Sequence, residues 1–223
     1  MTLFSLYVIC CFAVTLLALL WVLYFHRPRF DRKYLHSLSA VSAAVEARTG
    51  RKGETAWVDQ LSNAIAKEMG EGKQVRSSLR VAAALCEIGL VAVPYQQLRS
   101  RPRSQWSLLE REQYERFPEA GAAMLTLIPS LEHAATIVRC QQAPFHSETA
   151  GYLPRMDEIP VEARILFVAK SFVRAYADQG ELLARETLLQ GRGTLFDPTV
   201  VDAALKVISS NGARRRTPTL TRT

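Results

Sequence analysis

The chain has 223 residues, 48% hydrophobic and 22% charged, which suits one modest domain with appendages and excludes a repeat array or a low-complexity protein. Its net charge is +7, but the excess sits in two short segments: 26–33 (HRPRFDRK) carries +3 and 212–223 (GARRRTPTLTRT) carries +4, so the remainder is formally neutral. A nucleic-acid-binding domain carries its basicity on the folded body, so the distribution counts against a nucleic-acid partner. Of the four cysteines, Cys10 and Cys11 are adjacent and Cys86 and Cys140 are far apart, which is neither a disulfide framework nor a zinc-knuckle spacing.

Residues 1–25 (MTLFSLYVICCFAVTLLALLWVLYF) contain no charged side chain, and about 20 apolar residues suffice for a membrane-spanning helix. Trp21 and Tyr24 stand near one end, where amphipathic rings favour the interface. A cleaved signal peptide needs a basic start and a small-residue cleavage site, and this segment has neither. The basic flank 26–33 follows the apolar run, so the positive-inside tendency puts the body in the cytoplasm and keeps Cys86 and Cys140 reduced. The expectation is a single-pass protein of the inner membrane, with residues 26–53 as a basic juxtamembrane segment and linker helix.

In the body, 37–48 predicts a short Ala-rich helix stopped at Thr49-Gly50. Apolar residues at 57, 58, 61, 65 and 69 predict a helix ending at Gly70. RSSLRVAAALCEIGLVAV predicts a second, buried helix up to Pro94. Ser107 with Glu110 forms a capping box that opens a helix through 117. Helices over 120–127 and 131–140 flank Pro129, residues 141–158 are a loop, Pro160 opens a long helix, and Asp197-Pro198 caps a final one. With almost no strand signal, the fold class is an all-α helical bundle over 54–208, followed by a disordered basic tail over 209–223.

The run AAALCEIGLVAVP (82–94) resembles the segment of HD-GYP domains that holds their His-Asp pair. The similarity continues through SLLEREQYERFPEAG, LIPSLEHAATIV, IPVEARILFVAKSF and GTLFDPTVV, in order, and Gly151-Tyr152-Leu153-Pro154 resembles the Gly-Tyr-Pro signature with one residue inserted. The resemblance implies a helical bundle around a binuclear or trinuclear metal centre that hydrolyses cyclic di-GMP through metal-activated water. It also implies that Gly151, Tyr152 and Pro154 belong to a loop beside the active site, a candidate interaction loop for a diguanylate cyclase partner.

Against that pattern the ligands are replaced. Glu54 stands at the first histidine, Cys86 and Glu87 at the His-Asp pair, Phe117 at the next histidine, Gln141 and Gln142 at the twin histidines, and Lys170 at the late aspartate. Phe117 cannot coordinate a cation, and glutamine is a poor ligand for transition metals. Lys170 turns a negative ligand into a positive neighbour: an ammonium about 4 Å from a divalent ion costs roughly 8 kcal/mol at an effective dielectric of about 20. The family pattern puts positions 87 and 170 on the same metal region, so a Lys170–Glu87 ion pair is expected, with Lys170 reaching out to solvent as the alternative.

These residues imply no catalytic residues, no metal and no cofactor. The leading expectation is an inactive interaction module with a protein partner. A sensor that binds cyclic di-GMP through Gln141, Gln142 and Lys170 is the second. The third is an enzyme with a centre rebuilt from Glu54, Cys86, Glu87, Cys140 and His146.

Overall fold

The computed structural model describes residues 7–8, 11–21, 40–100, 105–146 and 153–212. Two units are distinguished, Met1–Ala40 and Val41–Thr223. In the first, residues 7–8 and 11–21 are helical. The Thr15 hydroxyl donates to the carbonyls of Cys11 and Phe12 at 3.0 and 2.9 Å, satisfying a polar group within an apolar run. Among the described residues no helix is long and apolar enough to cross a membrane, and the rest of segment 1–25 lies outside the described residues.

The second unit is all-helical among its described residues, apart from isolated bridge positions at Arg51 and between Arg192 and Phe196. Helix α1 spans residues 40–49. It is followed by α2 (Glu54–Glu68), α3 (Lys73–Leu85), a 3-10 turn (Ile88–Ala92) and α4 (Tyr95–Ser100). Then come α5 (Leu108–Glu115), α6 (Phe117–Thr126), α7 (Glu132–Cys140), α8 (Val161–Gln179), α9 (Glu181–Gln190) and α10 (Pro198–Gly212). The main core gathers Val58, Ile65, Leu79, Ile137, Ile165, Leu166 and Val200 from α2, α3, α7, α8 and α10. A smaller cluster joins Val45, Leu90, Val93, Trp106, Tyr114 and Phe117.

The Ser107 capping box is present, with the Ser107 amide donating to Glu110 Oε2 at 2.8 Å. The Asp197 cap is present too, Oδ1 accepting the Thr199 amide at 2.8 Å.

Four local expectations are corrected. The second body helix does not run to Pro94: it ends at Leu85 and gives way to a 3-10 turn. Gly89 is the cause, because a Cβ there would fall 1.8 Å from the Phe117 carbonyl oxygen, so the backbone of this turn packs directly on α6. The helix opened by Ser107 stops at Glu115, and Phe117-Pro118 starts a new one, since Pro suits a first turn and lacks the amide an interior needs. α9 was not foreseen; Gly180, at φ 85, ends α8 and lets Ala184 and Leu188 turn back onto the core. The six-residue α4 after Pro94 was also unforeseen.

At the carboxyl end α10 runs four residues past position 208, to Gly212, with Ser209 and Ser210 hydroxyls donating to the Leu205 and Val207 carbonyls.

Candidate functional site

The candidate site positions singled out in the sequence come from five segments. Glu54 opens α2, Cys86 and Glu87 follow α3, Phe117 opens α6, Gln141 and Gln142 follow α7, and Lys170 lies in the middle of α8. The bundle brings Cys86, Glu87, Phe117, Gln141 and Lys170 together.

Lys170 is buried, and its Nζ lies 2.8 Å from Glu87 Oε1, the contact expected from the sequence. Nζ also donates to Gln141 Oε1 and sits 5.2 Å from the centroid of the Phe117 ring. Gln141 turns its Nε2 to the Cys86 carbonyl at 2.8 Å. Its oxygen and nitrogen thus serve two segments, which makes a fully buried glutamine tolerable. The Cys86 thiol donates to the Ala83 carbonyl at 3.2 Å.

Sequence reasoning missed Arg174, which reaches Glu87 Oε1 at 3.2 Å and the Tyr114 hydroxyl at 3.5 Å. The signal was available: Arg174 stands four residues after Lys170 on one helix, hence on the same face. Glu87 therefore answers two cations. Burial alone would raise its carboxyl, but Lys170 and Arg174 hold it down to about 2. Burial opposes the Lys170 ammonium, yet Cys86 and Glu87 keep its value above the ordinary range. Burial pushes the Cys86 thiol up to about 11, so at neutral pH the thiol is uncharged and Glu87 is the anion that acts on Lys170.

Glu54 stands somewhat apart, paired with Arg51 at 3.1 Å. With Val45, Glu46, Thr49, Cys86, Glu87, Lys170 and Arg174 it lines a cavity of about 20 Å³, room for a single water. Cys140 and His146 do not line it. Gln142 is half-buried beside Gln141. Gly151 and Tyr152 lie outside the described residues; Leu153 and Pro154 border an open groove with Glu119, Thr136, Arg139 and Cys140.

A divalent centre does not fit this arrangement. Among the described residues no group of three or more His, Cys, Asp or Glu side chains is placed to hold a metal ion. The ammonium of Lys170 and the ring of Phe117 share this space with Glu87 and Gln141, and neither can serve as a ligand to a cation.

Farther along, Arg164 bonds Asp197 at 2.6 Å and Asp157 at 3.2 Å, anchoring α8 to the start of α10. His133 is satisfied by Glu162 at 3.1 Å.

The sequence pattern of the HD domain family matches residues 38–200. The chain belongs to that family. Among curated proteins it is 28% identical to the cyclic di-GMP phosphodiesterase response regulator RpfG of Xanthomonas campestris, a match covering 79% of this chain and 48% of that protein. The chain thus spans about half the length of the relative it matches. Among solved structures, Bd1817, a HDG"Y"P protein from Bdellovibrio bacteriovorus, superposes with a TM-score of 0.62 at 15% identity, over 83% of this chain and 66% of that one. The HD domain of L. monocytogenes phosphodiesterase PgpH, in complex with cyclic-di-AMP, superposes with a TM-score of 0.56 at 16% identity, over 82% of this chain and 99% of that one. At these identities the structures establish the HD fold alone, and the curated relative, itself a cyclic di-GMP phosphodiesterase response regulator, is similar to this chain over about half of its own length.

Proposed function

We propose that this chain is an HD-GYP-type domain that does not hydrolyse a cyclic dinucleotide and that works as a signalling or scaffolding module at a bacterial inner membrane. Residues 1–25 would anchor it and the body would lie in the cytoplasm. The observation that carries the reading is Lys170: its buried ammonium is paired with Glu87 and bonded to Gln141, inside the ring of former ligand positions. A divalent ion there would face a fixed positive charge at a cost of roughly 8 kcal/mol. Its partner is a protein, with a diguanylate cyclase or another membrane signalling component the best match to the Gly151, Tyr152 and Pro154 loop.

A cyclic di-GMP sensor is the less favoured reading, because the cavity of about 20 Å³ is far smaller than a dinucleotide. The test is metal content and cyclic di-GMP hydrolysis measured on one preparation of the full chain in mild detergent, with calorimetry against the same nucleotide. The expected result is no stoichiometric metal, no turnover and no binding heat. Binding without turnover would favour the sensor, and metal with turnover would overturn the proposal.

A further inference from the structure

α1 is the stretch of the second unit that follows the amino-terminal hydrophobic and basic segments, and it touches three of the five segments that carry the candidate site positions. Its Glu46 carboxylate accepts the Gly53 and Thr55 amides at 3.0 and 2.8 Å, capping α2 across Glu54. This matters locally, because the α2 N-cap is Gly53, at φ 83, which has no side chain to cap with. Ser42 donates to the Ala84 carbonyl, two residues before Cys86. Val45 packs in the cluster that holds Phe117 and Leu90. Arg48 donates to the Val93 carbonyl at 3.0 Å, fixing the end of the 3-10 turn that follows Glu87.

α1 also forms one wall of the cavity, through Val45, Glu46 and Thr49. Cys86, only 2% exposed, lines the same cavity. Yet α1 buries just Ser42 and Val45, and its remaining hold is polar. An element with few buried apolar contacts and several single hydrogen bonds opens at lower free energy than the core it rests on. The core of α2, α3, α7, α8 and α10 has its own apolar cluster, to which α1 contributes no residue.

We propose that α1 is a releasable strap: docked, it walls one side of the cavity of Glu87 and Lys170, and undocked, it widens that cavity and frees the first turn of α2. The inference concerns access alone, so it is judged separately from metal content and hydrolysis.

Cys86 is a built-in reporter. The full chain in mild detergent is treated with iodoacetamide, and labelling of Cys86 and Cys140 is followed by peptide mass mapping. Glu46→Ala and Val45→Ala are expected to speed Cys86 labelling on the order of tenfold, as for any opening made easier, and to leave Cys140 unchanged. Unchanged Cys86 labelling, or an equal rise at both thiols, would overturn the strap, the second because it signals loosening of the whole domain. If both variants fail to fold, hydrogen exchange of the unaltered chain decides. The strap requires the α1, Gly53 and Thr55 amides to exchange well ahead of those in the middle of α8, and equal protection would sink it.

Discussion

Two clusters of charge hang from α8, one at Arg164 and one at Lys170, about 9 Å apart along the axis at 1.5 Å per residue. At Arg164 one cation meets two carboxylates; at Lys170 two cations meet one. Asp197 has a second task, because its other oxygen caps α10 through the Thr199 amide and hydroxyl. That cluster ties one helix to the start of another and would be useful in any protein of this fold. The Lys170 cluster also reaches helix ends, bringing Glu87 after α3 and Gln141 after α7 to the middle of α8. What sets it apart is an excess of cation, since Lys170 and Arg174 share the single carboxylate of Glu87. The comparison teaches that one helix can carry two ion-pair clusters of opposite charge excess.

The sharpest way to break the contrast is to remove the anion that answers two cations. Glu87→Ala leaves Lys170 and Arg174 side by side without a contacting carboxylate, and breaking a buried pair in this way costs on the order of 3–5 kcal/mol. For a chain of this size that is a fall in Tm of about 10 °C, read by circular dichroism. Adding Lys170→Met to Glu87→Ala is expected to recover about half of the loss, because the uncompensated ammonium goes with it. A single variant as stable as the parent would mean that the cluster is solvated.

Acid sharpens the same point. The Glu87 carboxyl is held at about 2, against an ordinary value of 4.5. A depressed carboxylate stabilises the fold above its unfolded value and loses that contribution as pH falls towards the folded one. The window is therefore about pH 4.5 down to 2, and the contribution at stake is on the order of 3 kcal/mol. Other carboxylates titrate there too, so the measurement is the difference in urea stability between the parent and Glu87→Gln. That difference is expected to shrink steadily through the window, and a constant difference would place Glu87 outside the ion pair.

Much of this was legible in the sequence, and the illegible parts share a cause. The all-helical bundle followed from apolar spacing, and the facing of positions 87 and 170 followed from the family pattern that the replaced ligands still trace. What could not be read was backbone packing against backbone. Gly89 shortens α3 into a 3-10 turn because α6 lies against it, and nothing local in EIGLVAV announces that neighbour. Likewise, the capping of α2 by Glu46 crosses a turn with positive φ at Gly50 and Gly53, where sequence separation says little about distance. The Leu182–Leu189 stretch hid α9 because its exposed leucines blur the apolar period, and the helix buries only Ala184 and Leu188. Arg174 stands at no ligand position of the family pattern, so only its spacing from Lys170 on α8 points to it.

At the other cluster the two carboxylates should separate cleanly. Asp197 is 3% exposed on its side chain and Asp157 is 90% exposed, though both contact the same Arg164 nitrogen. A surface pair contributes little, since water screens it and two side chains must be held in place, so Asp157→Asn should change stability by less than about 0.5 kcal/mol. Arg164→Ala acts on the inner contact and leaves a buried carboxylate with its α10 cap bonds alone, so about 2–3 kcal/mol should be lost. In a double-mutant cycle, Arg164 should then couple to Asp197 several times more strongly than to Asp157. Equal couplings would mean that burial does not set the strength of this pair, and the distinction drawn between the two clusters of α8 would lose its physical basis.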